Sequence, residues 1–246
     1  MGGSDRIRRI LDLCESWSIC VQFHGQRNRG VAEIVFAAEQ WAFEEEVADC
    51  LILIEDDIVI SRFFFSMMKT LARFALNNDQ IGAFSAFGNA SISYKHQFLT
   101  RNQYIPLHHR WGVGMTRSFW QRGRADYGRY LALMNGTPYR HRPVDRIRNF
   151  LREFKNAQNV ADVTSQDGVH TAIMLHHGGF SFMPPTSYAI NIGKHGLHCT
   201  PWLYYQHLTE MRGLYPFFPV PVPLSETRLR VQSAELFTKS VNLQYW

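Results

Sequence analysis

Apolar residues recur at helical spacing over residues 5–16, where Ile7, Ile10, Leu11 and Leu13 share one face and Ser4 is placed to cap it. Ser18 to Phe23 reads as a strand, His24 to Gly30 as a polar turn, and Val31 to about Glu46 returns to the helical period. Cys50-Leu51-Ile52-Leu53-Ile54 is a short unbroken apolar run, the pattern of a strand buried on both faces. Its apolar character stops abruptly at Glu55-Asp56-Asp57. Ser61 then offers a cap for a helix through Phe63, Met67, Leu71 and Phe74, and Ile81 to Phe87 is the next strand. Helices alternating with strands predict βαβ units, hence an α/β chain with a Rossmann-like, mostly parallel sheet flanked by helices. Ligands of such sheets bind beyond the carboxyl ends of the strands, which is where the three acids fall.

The second half is less regular. Tyr104 to Thr116 reads as strand-rich and Arg117 to Met134 as helical, and Val144, Ile147, Leu151 and Phe154 mark a further amphipathic helix. Asp167 stands before a helical stretch that ends near Gly178-Gly179, and Phe180–Met183 and Tyr188–Ile192 read as strands around Pro184-Pro185. After Pro201 the chain turns aromatic and proline-rich, with PFFPVPVP at 216–223. The pattern predicts one domain over residues 1–200 and an irregular extension over 201–246. The chain opens on a helix where an α/β nucleotide-binding fold ordinarily opens on a strand, so the first strand is expected to be missing.

Composition narrows the classes. Of 246 residues, 46% are apolar and 19% charged, which is the balance of a packed domain rather than a disordered chain. No run of 18 apolar residues exists and the start carries no apolar signal-peptide core, so neither a membrane span nor a leader is expected. The four cysteines, at 14, 20, 50 and 199, form no CxxC pair, which argues against a zinc knuckle or disulfide framework and predicts a reducing, cytoplasmic setting. The net charge of +5 is concentrated between Arg110 and Arg152, a segment suited to an acidic substrate or to peripheral contact with an anionic membrane face. No zinc-finger or RRM pattern is present, so no nucleic-acid partner is expected. The pairs His108-His109 and His176-His177 lack metal-ligand spacing and read as structural.

Three consecutive acids after an apolar strand repel one another unless a cation is held there. Mg²⁺ and Mn²⁺ prefer carboxylate oxygens and commonly bridge to phosphates. The competing reading is a solvated turn whose acids cap the helix starting near Ser61.

Four motifs in order give the acids a context. Arg27-Asn28-Arg29-Gly30 leads into a helix, LILIEDDIVISRFFFSMM follows, then Arg110-Trp111-Gly112-Val113-Gly114-Met115-Thr116, and finally Asn191-Ile192-Gly193-Lys194-His195-Gly196-Leu197-His198. Together these resemble the GT-A glycosyltransferases, in particular family-2-like enzymes and the N-acetylglucosaminyltransferase I group, over about residues 18–200. The EDD triplet stands in the place of that family's DxD motif. The resemblance implies that Asp57 binds a Mn²⁺ or Mg²⁺ ion bridging the donor diphosphate, that Glu55 and Asp56 lie toward the ribose and sugar, and that His198 completes the metal site, with His195 as the other histidine in reach of the role. It places Arg27 and Asn28 near the nucleotide, although an exposed turn is the plainer reading of Arg27. It sets Trp111 and Gly112 against the sugar or acceptor, where core packing of the indole is the alternative. Asp167 matches the family's general base at a helix start, with Gln166 standing where a Glu is usual; an Asp in that position also reads as a helix cap, worth about 1 kcal/mol.

The implied activity is metal-dependent transfer of a sugar from a nucleotide-diphospho-sugar, a UDP-sugar being favoured, to a hydroxyl of a glycan, lipid or protein, with inversion. Two other readings stay open: a nucleotide- or carbohydrate-binding protein of the same fold without turnover, and a nucleotidyltransferase.

Overall fold

The computed structural model describes residues 30–88, 94–101, 103–107, 109–157 and 163–193. The helix expected at 5–16, the strand at 18–23 and the extension over 201–246 lie outside the described residues.

Helix α1 (Gly30–Gln40) runs into a π-helical turn at Trp41–Glu45, followed by β1 (Cys50–Leu53) and β2 (Ile58–Ile60). Then come α2 (Phe64–Leu76), β3 (Ile81–Ser85), α3 (Tyr94–Leu99), β4 (Ile105–Pro106) and β5 (Val113–Thr116). The chain continues through α4 (Arg117–Met134), α5 (Val144–Arg152), α6 (Gln166–His176), β6 (Phe180–Met183) and β7 (Ala189–Asn191). Helix α4 ends where Asn135 takes a left-handed conformation (φ 43°) and its N–H donates back to the Leu131 carbonyl at 2.9 Å.

The main sheet has the order β1-β5-β3-β6-β4. Among the described residues only β3 and β6 pair in parallel; β1 with β5, β5 with β3, and β4 with β6 are antiparallel. The expectation of a mostly parallel sheet is therefore corrected to a mixed one. An unbroken apolar run records burial on both faces but not strand direction, and β5 enters between β1 and β3 running against both. A separate two-stranded ladder joins β2 to β7, with Ile58 opposite Asn191 and Ile60 opposite Ala189.

Strand alternation, interrupted in β3 by a register shift between Ile81 and Ala83, divides the core into two layers. Cys50 and Ile52 of β1, Ile81 and Phe84 of β3, and Phe180 and Phe182 of β6 pack with α2 through Phe64, Met68 and Leu71. Leu51 and Leu53, Ala83, and Met183 face the other way, onto Phe119 and Trp120 of α4 and Met174 of α6. A third cluster joins α4, α5 and α6 around Tyr130, Ile147, Leu151 and Ile173. The basic segment is largely engaged within the molecule: Arg117 pairs with Asp49, Arg124 with Glu44, Arg129 with Asp126 and Glu153, and Arg148 with Asp145. Among the described residues no helix is long and apolar enough to cross a membrane.

Phe182 is fully buried, with ring contacts to Phe74 of α2, Phe84 of β3 and Tyr104 just before β4. Phe182→Ala is expected to lower unfolding free energy by about 3–5 kcal/mol in urea titrations, since it removes a large ring from a packed site. Phe65→Ala, at a residue 56% exposed, should cost under about 0.5 kcal/mol in the same measurement.

Candidate functional site

The acidic triplet follows β1 after Ile54 and forms the turn into β2, closed by a hydrogen bond from the Ile58 N–H to the Glu55 carbonyl at 3.2 Å. Asp57 is the best fixed of the three. Its carbonyl accepts from the Ile192 N–H at 2.8 Å, and its Oδ2 accepts from the Asn191 side-chain amide at 3.1 Å. Asn191 Oδ1 in turn accepts from the Gly193 N–H at 2.7 Å. A Cβ at Gly193 would overlap the Asp57 carboxylate, so only glycine permits this approach. The pairing of Ile58 with Asn191 in the β2–β7 ladder sets the register of all these contacts. Asp57 Oδ1 is buried and has no hydrogen-bond partner among the described residues.

Glu55 and Asp56 are exposed in the same turn. Partial burial of the Glu55 carboxyl, reinforced by the charges of Asp57, Asp167 and Asp56, pushes its pKa from 4.5 up to about 7. Asp167 thus belongs to the same field of negative charge, although it follows the triplet by more than a hundred residues.

Asp167 lies in the first turn of α6, but Ser165 caps that helix: its Oγ accepts from the Gly168 N–H at 3.1 Å. The capping reading of Asp167 therefore passes to Ser165. Crowding around the Asp167 carboxyl raises its pKa, opposed by the Arg110 guanidinium and the Arg110 backbone N–H. Gln166 beside it is buried, with its Oε1 unpartnered among the described residues. A glutamate there would place an ionised carboxylate in the same enclosed position, which a neutral amide avoids.

Arg110 links this surface to an inner layer. Burial works against its charge, while Asp167 and Glu39 stabilise it. Glu39 is 1% exposed, the most enclosed side chain of α1. Burial raises its pKa from 4.5 to about 7, with Arg110 opposing. His170 of α6 lies with its Nε2 4.0 Å from Glu39 Oε1, and the Tyr127 ring packs on the His170 ring with centroids 4.2 Å apart. Burial, aided by Arg110, holds His170 well below its ordinary pKa and therefore neutral. The sequence signal for this layer is a single acid, Glu39, three positions after Phe36 on the apolar stripe of α1.

The other expected residues fall as follows. Trp111 packs into the core in an aromatic trio, its ring 5.1 Å from both Phe87 and His109, in line with the packing alternative. Gly112 is buried in a left-handed turn (φ 56°) against the Phe64 ring, and its carbonyl accepts from Ser85 Oγ at 2.9 Å. Arg27, Asn28, His195 and His198 lie outside the described residues. The triplet does not converge as a cage: among the described residues, three donor atoms within 4.8 Å of one another occur only at Asp126, His176 and His177. No family model matches the sequence, and no curated protein matches it either.

Glu39 yields a prediction with a definite sign. Its folded pKa of about 7 lies above its ordinary 4.5, so the stability it contributes is complete below pH 4.5 and is lost as pH rises through about 7. Urea titrations of the wild type should show a loss of the order of 3 kcal/mol from this group between pH 4.5 and 7.5. Glu39→Gln should remove that part of the slope, becoming more stable relative to the wild type as pH rises.

Proposed function

We propose that the chain is a metal-dependent glycosyltransferase, moving a sugar from a nucleotide-diphospho-sugar, UDP-sugar favoured, to an acceptor hydroxyl with inversion. The observation that carries this reading is the pinned Asp57 carboxylate, with one buried oxygen unpartnered, in the same acidic field as Asp167. A single fixed carboxylate in an acidic turn suits a hard divalent ion that keeps its other positions for water and phosphate oxygens.

Asp57 would hold Mn²⁺ or Mg²⁺, and the bound ion would supply charge stabilisation for the departing diphosphate. Glu55 and Asp56, exposed beside it, would face the ribose and sugar. Asp167 accepts the proton from the acceptor hydroxyl as that oxygen bonds to the anomeric carbon. The bond from the anomeric carbon to the diphosphate oxygen breaks, and its electron pair leaves with the nucleotide. A carboxyl whose pKa is raised by its surroundings is a stronger base than a free aspartate, which suits Asp167 to this step. Arg110 fixes the orientation of that carboxyl while limiting how far its pKa rises.

One observation favours a second reading, a nucleotide- or carbohydrate-binding protein without turnover. The guanidinium that steadies Asp167 also stabilises its ionised form, which weakens it as a base.

The readings separate in two measurements. Calorimetric titration with UDP should show binding that requires Mn²⁺, weakened more than about 10-fold in Asp57→Ala. Asp167→Asn should retain that binding while transfer from a UDP-sugar falls by about 10²–10⁴. Mn²⁺-dependent UDP binding with no transfer or hydrolysis by the wild type would establish the binding protein. Silence toward both UDP and GDP with Mn²⁺ would end the donor-site reading.

A further inference from the structure

A second cluster of donor atoms lies at the far end of α6. Asp167 lies in the first turn of that helix and His176 ends it, a separation of about 14 Å at 1.5 Å per residue. His176 and the adjoining His177 meet Asp126 from the middle of α4, and one ligand atom from each lies within 4.8 Å of the other two. The adjacency of the two histidines gives no metal-ligand period along the chain. The third donor arrives from 51 residues away, through the packing of α4 on α6.

From this geometry we infer a binding site for Zn²⁺ formed by Asp126, His176 and His177. His177 Nε2 lies 2.9 Å from Asp126 Oδ2, a separation at which the two share a proton. Tetrahedral Zn²⁺ holds its ligand atoms about 3.3 Å apart, so a cation can replace that proton with little movement. His176 Nδ1 is buried with no hydrogen-bond partner among the described residues, leaving a nitrogen whose lone pair or N–H is unused. The rings are held in place: His176 stacks on Phe154 with centroids 4.6 Å apart at 17°, and meets His177 edge-on at 4.9 Å.

The surroundings suit a cation. Arg129 holds the other oxygen, Asp126 Oδ1, at 3.2 Å, orienting the carboxylate as outer-shell partners of metal ligands do. Glu153 at 2.6 Å from the same guanidinium offsets its charge. Both histidines sit at the carboxyl end of α6, where the helix dipole favours positive charge. Two nitrogens and one carboxylate oxygen form a set that Zn²⁺ accepts, with a fourth position left for water. The ion would tie the end of α6 to α4. This inference does not depend on the proposed glycosyl transfer.

The test is zinc binding by the full chain carrying Asp57→Ala, so that the acidic turn does not contribute. Calorimetry with ZnCl₂ should show one site, and zinc should raise the melting temperature. Asp126→Asn keeps a hydrogen-bonding partner for His177, and His176→Phe keeps the stack on Phe154. Each should weaken zinc binding more than about 100-fold, beyond the range seen for outer-shell changes, and abolish the thermal shift. Unchanged affinity in Asp126→Asn, or no zinc binding by a folded parent chain, would overturn the inference. Should His176→Phe fail to fold, Asp126→Asn decides the matter alone.

Discussion

Negative charge gathered at the end of β1 has to be held there against its own repulsion. Glu55, Asp56, Asp57 and Asp167 come from two distant segments, and the three aspartates make ionisation of Glu55 harder. The chain holds them by backbone geometry more than by counter-charge. The β2–β7 ladder fixes Asp57, a serine cap fixes the first turn of α6, and the charge of Arg110 offsets that of the Asp167 carboxyl. The two hydrophobic layers on either side of the sheet make those elements rigid enough to bear the cost.

Arg110 serves two acids at different depths. Asp167 and Glu39 both stabilise its charge, and that charge adds to the burial that holds His170 neutral. The inner layer also explains why α1 tolerates an acid on its packed face: the carboxyl, enclosed, spends much of the neutral range protonated.

Much of this was legible along the chain wherever a segment's own pattern decides its state. The strand ending at the acids, the long helix at 117–134 and the helix opening near Asp167 each follow from local period, although the cap of that last helix is Ser165 and not Asp167. Strand direction was not legible, because burial on both faces looks the same whichever way a strand runs. Strand β2 was missed because three residues, Ile58–Ile60, are too few to show a period, and they are strand only by pairing with Ala189–Asn191. In the site, Asp57 and Asp167 stand out by motif, and Asn191 lies in one too. The polar layer behind them and the meeting of Asp126 with His177 arise from helix packing, which no spacing along the chain encodes.

The contact between Asn191 and Asp57 joins residues 134 apart in sequence. Such a contact closes late, because the entropy of a long loop must be overcome before it returns any stabilisation. During synthesis the acidic turn leaves the ribosome before Asn191 does, and it stays untethered until the segment through Gly193 has followed. Until then the cluster of carboxylates is unclamped, and it is tethered only when β7 pairs with β2.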